Sequence, residues 1–193
     1  MSRNRATSAG IGRSRVLITV VAVLIAVHLL NMMSGGVLVA YGIFPRQLGT
    51  LPHIITAPAI HGDVSHLLNN LIGFLIFASL CLFNSVSQFV RASVFIIFLS
   101  GLLVWLLGRP AWHIGASGWV YGLWSFAIFR AWYHRSLTNC IAAMVALCFY
   151  GVMLYGILPA YPGVSFESHL FGAIAGVIAA ALITQKGRRF KFL

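Results

Sequence analysis

The stretch His113-Ile-Gly-Ala-Ser-Gly-Trp-Val-Tyr-Gly122, "HIGASGWVYG", sets a serine among small residues and follows it at once with aromatics. Long apolar runs flank it on both sides. A serine hydroxyl is a weak nucleophile, and hydrocarbon is a poor solvent for it. Ser117 is therefore either a small residue that lets membrane helices touch or the centre of a reaction.

The surroundings decide the fold. The chain has 193 residues, of which 60% are hydrophobic and 8% charged. About 20 apolar residues at ~1.5 Å rise cross a ~30 Å hydrocarbon core. Six runs approach that length: Val16–Met33, Val64–Leu82, Val94–Leu107, Gly118–Trp132, Ile141–Leu158 and His169–Thr184. They predict an all-α membrane bundle of six transmembrane helices over residues 16–185, with basic tails at 1–15 and 186–193.

The net charge of +11 is distributed by side. Arg3, Arg5, Arg13, Arg15, Arg91, Arg130, Arg135, Lys186, Arg188, Arg189 and Lys191 fall on one side of six spans; Arg46 and Arg109 fall on the other. This asymmetry predicts cytoplasmic termini. It reads as contact with a lipid bilayer rather than with nucleic acid. The N-terminal apolar run is long for a cleaved leader and is followed by no clear small-x-small site, so a retained anchor is expected. Cys81, Cys140 and Cys148 fall in or beside spans and suggest no disulfide framework.

Asp63 and Glu167 are the only carboxylate side chains. A paired-aspartate protease needs two that share a proton. A zinc protease of the HExxH kind needs a motif that is absent. Neither acid falls within a predicted span, which argues against a Ser-His-acid triad and against a proton-coupled carrier. Hydrolysis would rest on Ser, His, Asn, Tyr and backbone amides, with no metal and no cofactor.

Three polar clusters could supply it. His66 and Asn70, in "HGDVSHLLNN" (61–70), lie four apart on one helix face, with His61 in the preceding loop. Gly115-Ala-Ser117-Gly118 opens the fourth span, with Tyr121 four residues after the serine. His169, Gly172 and Gly176 share a face of the sixth, and the two glycines allow a close helix approach. All three clusters open their helices on the outer side. If the fourth and sixth spans pack together, His169 can take a proton from Ser117, and the Ser117 amide, Asn70 and His66 can receive an oxyanion. Each part also has a plain packing role. His61 and His66 could ligate a metal, but no third ligand is apparent.

In this combination the residues resemble the rhomboid family of intramembrane serine proteases. The family's GxSG, HxxxxHxxxN and His-xx-GxxxG patterns read here as Gly115–Gly118; His61, His66 and Asn70; and His169, Gly172 and Gly176. The resemblance implies Ser117 as nucleophile and His169 as base, with Tyr121 stacked on His169. It implies an oxyanion hole of Asn70, His66 and the Ser117 amide, substrate contacts at the Gly115 backbone, and a loop-supporting role for His61. Single-pass membrane proteins would be the substrates. The chain departs from the family in having Pro52-His53 where Trp-Arg is common, Leu82 where glutamate is common, and Ser168 where alanine often precedes the histidine. A catalytically inactive relative that binds membrane clients, and a small transporter, are the competing readings.

Overall fold

The computed structural model describes residues 2–159 and 163–184. The elements are α1 (Ser2–Met33), α2 (Val64–Leu82), α3 (Val86–Leu107), α4 (Ser117–Tyr133), α5 (Leu137–Tyr150), the single turn α6 (Met153–Gly156) and α7 (Phe166–Thr184). Among the described residues the extended pairing is one antiparallel bridge, Ile43 to His113. Four helical segments are long and apolar enough to cross a membrane: Gly12–Met33, α2, α3 and α7. Leu29, Leu68, Phe98 and Leu182 are among many large apolar side chains that face outward along them. Such surfaces suit acyl chains and not water.

Local chemistry sets the helix ends, and here the expected boundaries move. Ser85 accepts the Gln88 N–H, so α3 begins at Val86 rather than Val94. Ser136 accepts the Asn139 N–H and starts α5 at Leu137. The predicted run to Leu158 breaks near Gly151, leaving α5 at 14 residues and α6 as a separate turn. Ser165 accepts the Ser168 N–H and starts the last helix one turn before His169. Helix α1 starts at Ser2 and runs through the basic N-terminal segment, which holds no proline. The basic segment 186–193 lies outside the described residues.

Helix α4 is the axis of the bundle. It packs most extensively on α7 and also touches α2, α3 and α5. Its residues from Val120 to Ala127 are all buried, and Phe74, Phe77, Leu123 and Phe126 lie in the core around it. Gly172 and Gly176 of α7 meet the carbonyls of Gly118 and Gly122 of α4, and a Cβ on either would collide with those oxygens. Ser125 Oγ adds a hydrogen bond to Ala173 O at 2.7 Å. Apolar side chains gain little from leaving lipid for protein, so a close backbone approach of this kind is what holds such helices together.

The connection from α1 to α2 is three short 3-10 segments clamped to the end of α3. Arg46 Nη1 donates to Gly108 O at 2.8 Å and Leu106 O at 3.2 Å, and Trp105 Nε1 donates to Gln47 O at 2.9 Å. These bonds anchor the loop where Pro52-His53 replaces the family's Trp-Arg. Leu82 is fully buried in the apolar core.

Gly176→Val should lower unfolding free energy by about 3 kcal/mol or more, because a buried side chain has no space between backbones. Gly49→Ala meets nothing within 4 Å and should be within ~0.5 kcal/mol of wild type. Denaturation of the purified protein in detergent measures both.

Candidate active site

Ser117 is the first residue of α4, and the turn that delivers it is held by His61. The His61 ring is fully buried. Its Nε2 accepts the Ala116 N–H at 3.3 Å, so Nδ1 carries the proton and donates to Ala59 O at 3.3 Å. Asn31 Nδ2 donates to the His61 carbonyl at 3.2 Å, and His28 Nδ1 lies 3.3 Å from the same oxygen. His61 thus ties α1, the long loop and the turn before Ser117 together. Burial first, then the neighbouring His66 and His28, bring its pKa down to about 4 despite the opposing pull of Ala59 O and Asp63. The ring stays neutral at pH 7, as its acceptor role requires.

Gly115 sits at φ +104°, a conformation disfavoured for residues with a Cβ. Its N–H is spent on Ala57 O at 2.9 Å, leaving its carbonyl for other partners. A Cβ there would strike the His66 ring and come within 3.3 Å of Asn70 Nδ2. The glycine therefore lets both side chains of α2 close over the backbone just before Ser117. Asp63 caps α2 by accepting the His66 N–H at 2.8 Å and the Ser65 hydroxyl at 2.6 Å. Those hydrogen bonds lower its own pKa. Asn70 Nδ2 is buried and has no hydrogen-bond partner among the described residues. An unused buried donor is costly unless something arrives to accept from it.

His169 lies on α7 with its ring stacked on Tyr121, centroids 4.1 Å apart and planes 7° from parallel. Its Nδ1 lies 2.8 Å from the Gly156 carbonyl. A carbonyl only accepts, so the proton is on Nδ1 and Nε2 is left as an acceptor. Gly156 has no side chain because a Cβ would collide with the Tyr121 hydroxyl. The sequence pattern around Gly156 does not mark it, and its contact comes from backbone alone.

Ser117, His169, His66, Asn70 and Tyr121 line one cavity of about 690 Å³, which opens at the end of the bundle bearing Asp63 and Val164. Ser117 Oγ makes no hydrogen bond to His169 among the described residues. Uncomplexed sites often hold nucleophile and base slightly apart. Gly172 and Gly176 are placed against α4, below the cavity. No group of three or more His, Cys, Asp or Glu side chains that could hold a metal occurs among the described residues.

One expectation needs correction. Glu167 does not lie outside the helix: it is in the first turn of α7 and is 5% exposed. Its Oε1 lies 3.3 Å from Arg109 Nε and accepts the Arg109 backbone N–H. The carboxylate thus fastens α7 to the α3–α4 loop, and the partner on His169 Nδ1 is a carbonyl instead. His113 reinforces the same junction, with Nδ1 2.6 Å from Ser165 Oγ, which in turn lies 2.7 Å from Ser168 Oγ. Ser168 is therefore used where alanine is common in the family.

The fold and cavity define a helical membrane protein with a serine, a histidine and amide donors collected at one end. A family model for the Rhomboid domain matches residues 48–186, and the chain belongs to the rhomboid family. It is 36% identical over 186 residues to uncharacterized proteins of Mycobacterium tuberculosis (strain ATCC 25618 / H37Rv) and Mycobacterium bovis, covering 92% of this chain and 78% of theirs. An uncharacterized protein of Mycobacterium leprae is 31% identical over the same length, covering 74% of that protein.

His61 binds fewer protons folded than unfolded between its unfolded pKa of ~6.5 and about 4. Its contribution is complete above pH ~6.5 and is lost as pH falls through that window. Denaturation midpoints should fall from pH 7 to pH 5 in the wild type, and His61→Asn should start lower and show a shallower fall.

Proposed function

We propose that this protein is an intramembrane serine endopeptidase that cleaves single-pass membrane proteins near the outer face of a bacterial cell membrane. Six spans with both termini cytoplasmic agree with the charge asymmetry, and this reading places the cavity on the outer side. Helix α4, at 17 residues and ~1.5 Å rise, is shorter than the hydrocarbon thickness. Its Ser117 end would sit below the surface plane, reached by water through the cavity.

The observation that carries the reading is the orphaned Asn70 amide beside Ser117. A positioned donor with no protein partner is what a transient oxyanion needs. In the proposed mechanism a substrate helix unwinds at the cavity, which frees a carbonyl from its hydrogen-bond ladder. Ser117 Oγ attacks the carbonyl carbon while His169 Nε2 takes the hydroxyl proton. The oxyanion accepts hydrogen bonds from Asn70 Nδ2, the His66 ring and the Ser117 N–H. The intermediate collapses, the C–N bond breaks, and His169 returns its proton to the leaving amine. Water, deprotonated by His169, then releases the acyl group and restores Ser117. Tyr121 and the Gly156 carbonyl keep the imidazole in one orientation and one tautomer. With a neutral carbonyl instead of a carboxylate behind it, the imidazolium is less stabilised, so turnover should be slow.

A fluorophosphonate probe tests the reading on the purified protein. Wild type should label covalently; Ser117→Ala and His169→Ala should not, and Asn70→Ala should cut cleavage of a single-pass substrate by about 10²–10³-fold. Labelling that persists in Ser117→Ala would remove the nucleophile. A folded wild type that neither labels nor cleaves would point to a client-binding relative.

A further inference from the structure

We propose that a second cavity, at the end of the bundle opposite Ser117, binds a phosphate group. It has a volume of about 230 Å³, the space of roughly eight waters at ~30 Å³ each. Asn84 and Gln88 from the start of α3, Arg130 and His134 from the end of α4, and Asn139 from the start of α5 line it.

Arg130 is the reason. It is only 4% exposed, and it lines the cavity. Its Nε and Nη2 both donate to one acceptor, Asn139 Oδ1, at 3.0 and 2.8 Å. Asn139 is held for this by its Nδ2, which donates to His134 O at 2.7 Å. The guanidinium has five N–H groups, and these two bonds end on a single neutral oxygen. A buried cation normally has an anion beside it, because desolvating it costs several kcal/mol. Neither carboxylate side chain in the chain can serve. Asp63 caps α2, and Glu167 is paired with Arg109, both at the Ser117 end.

Nor do helix dipoles balance the charge. Helices α2, α4 and α7 end here and α3 and α5 begin here, so the partial charges leave about half a unit of negative charge, short of a full positive charge. The Phe126 ring, its centroid 5.8 Å from Arg130 Cζ, offsets part of the charge, but no anion stands beside the guanidinium among the described residues. The side-chain amides of Asn84 and Gln88 make no hydrogen bond among the described residues and can donate to the same ligand. A phosphate oxygen pair matches the planar guanidinium fork. On the orientation given above, this cavity lies at the cytoplasmic leaflet, so the phosphate could be a phospholipid headgroup or a free ion.

Thermal unfolding of the full chain in a neutral detergent tests this. Four additions are compared: inorganic phosphate, sodium chloride at equal ionic strength, dioleoylphosphatidylglycerol and dioleoylphosphatidylcholine. The wild-type midpoint should rise saturably, by about 3 °C, with one of the two anionic probes over its control. A rise with inorganic phosphate identifies a free ion; a rise with phosphatidylglycerol alone identifies a lipid headgroup. Gln88→Glu places a carboxylate in the cavity with almost no change in shape. It should raise the starting midpoint and abolish the response. No rise beyond the controls, or an equal rise in Gln88→Glu, overturns the proposal.

Discussion

Everything at the Ser117 end depends on two backbones that touch. Gly118 and Gly122 present their carbonyls to the Cα atoms of Gly172 and Gly176, and no side chain fits between. This contact sets the spacing of α4 and α7, and therefore the spacing of the residues at their first turns. Ser117 opens one helix, and His169 lies one turn into the other. The polar junction of Arg109, Glu167, His113 and Ser165 then stops α7 from sliding along α4. Lipid supplies no hydrophobic force to do this, so geometry comes from close packing and from buried hydrogen bonds.

The same constraint explains how the His169 ring can be oriented with so few acids. A carboxylate behind the histidine would have to be buried in the bundle at a large desolvation cost. The Gly156 carbonyl fills that position at no such cost, because it is neutral and already part of the chain. Stacking on Tyr121 restrains the remaining rotation. On α2, the strained Gly115 turn lets His66 and Asn70 close over the backbone beside Ser117, and His61 locks that turn from behind.

Much of this was legible in the residues. Hydrophobic length marked the membrane bundle, and the spacings His66 to Asn70 and Gly172 to Gly176 marked faces of α2 and α7, both of which pack against α4. What stayed hidden has a physical cause in each case. Serine caps at Ser85, Ser136 and Ser165 set helix starts that apolar runs misplace by several residues, because polar residues can form the first turns. The contact of Gly156 with His169 is made by backbone, which carries no residue-type signal. Glu167 fell outside the expected last span because apolar length alone starts that span at His169, and its partner, Arg109, is 58 residues away. Arg130 looked like one more charge of the basic side, since burial does not show in composition.

The central claim is that the Asn70 amide waits for an oxyanion formed on Ser117. A crystal structure of the protein after reaction with a fluorophosphonate measures this directly. The account predicts phosphorus bonded to Ser117 Oγ, with the phosphoryl oxygen ~2.7–3.1 Å from Asn70 Nδ2 and the His66 ring alongside. An adduct on another residue, or a phosphoryl oxygen turned away from Asn70 with Nδ2 still unpaired, would contradict it.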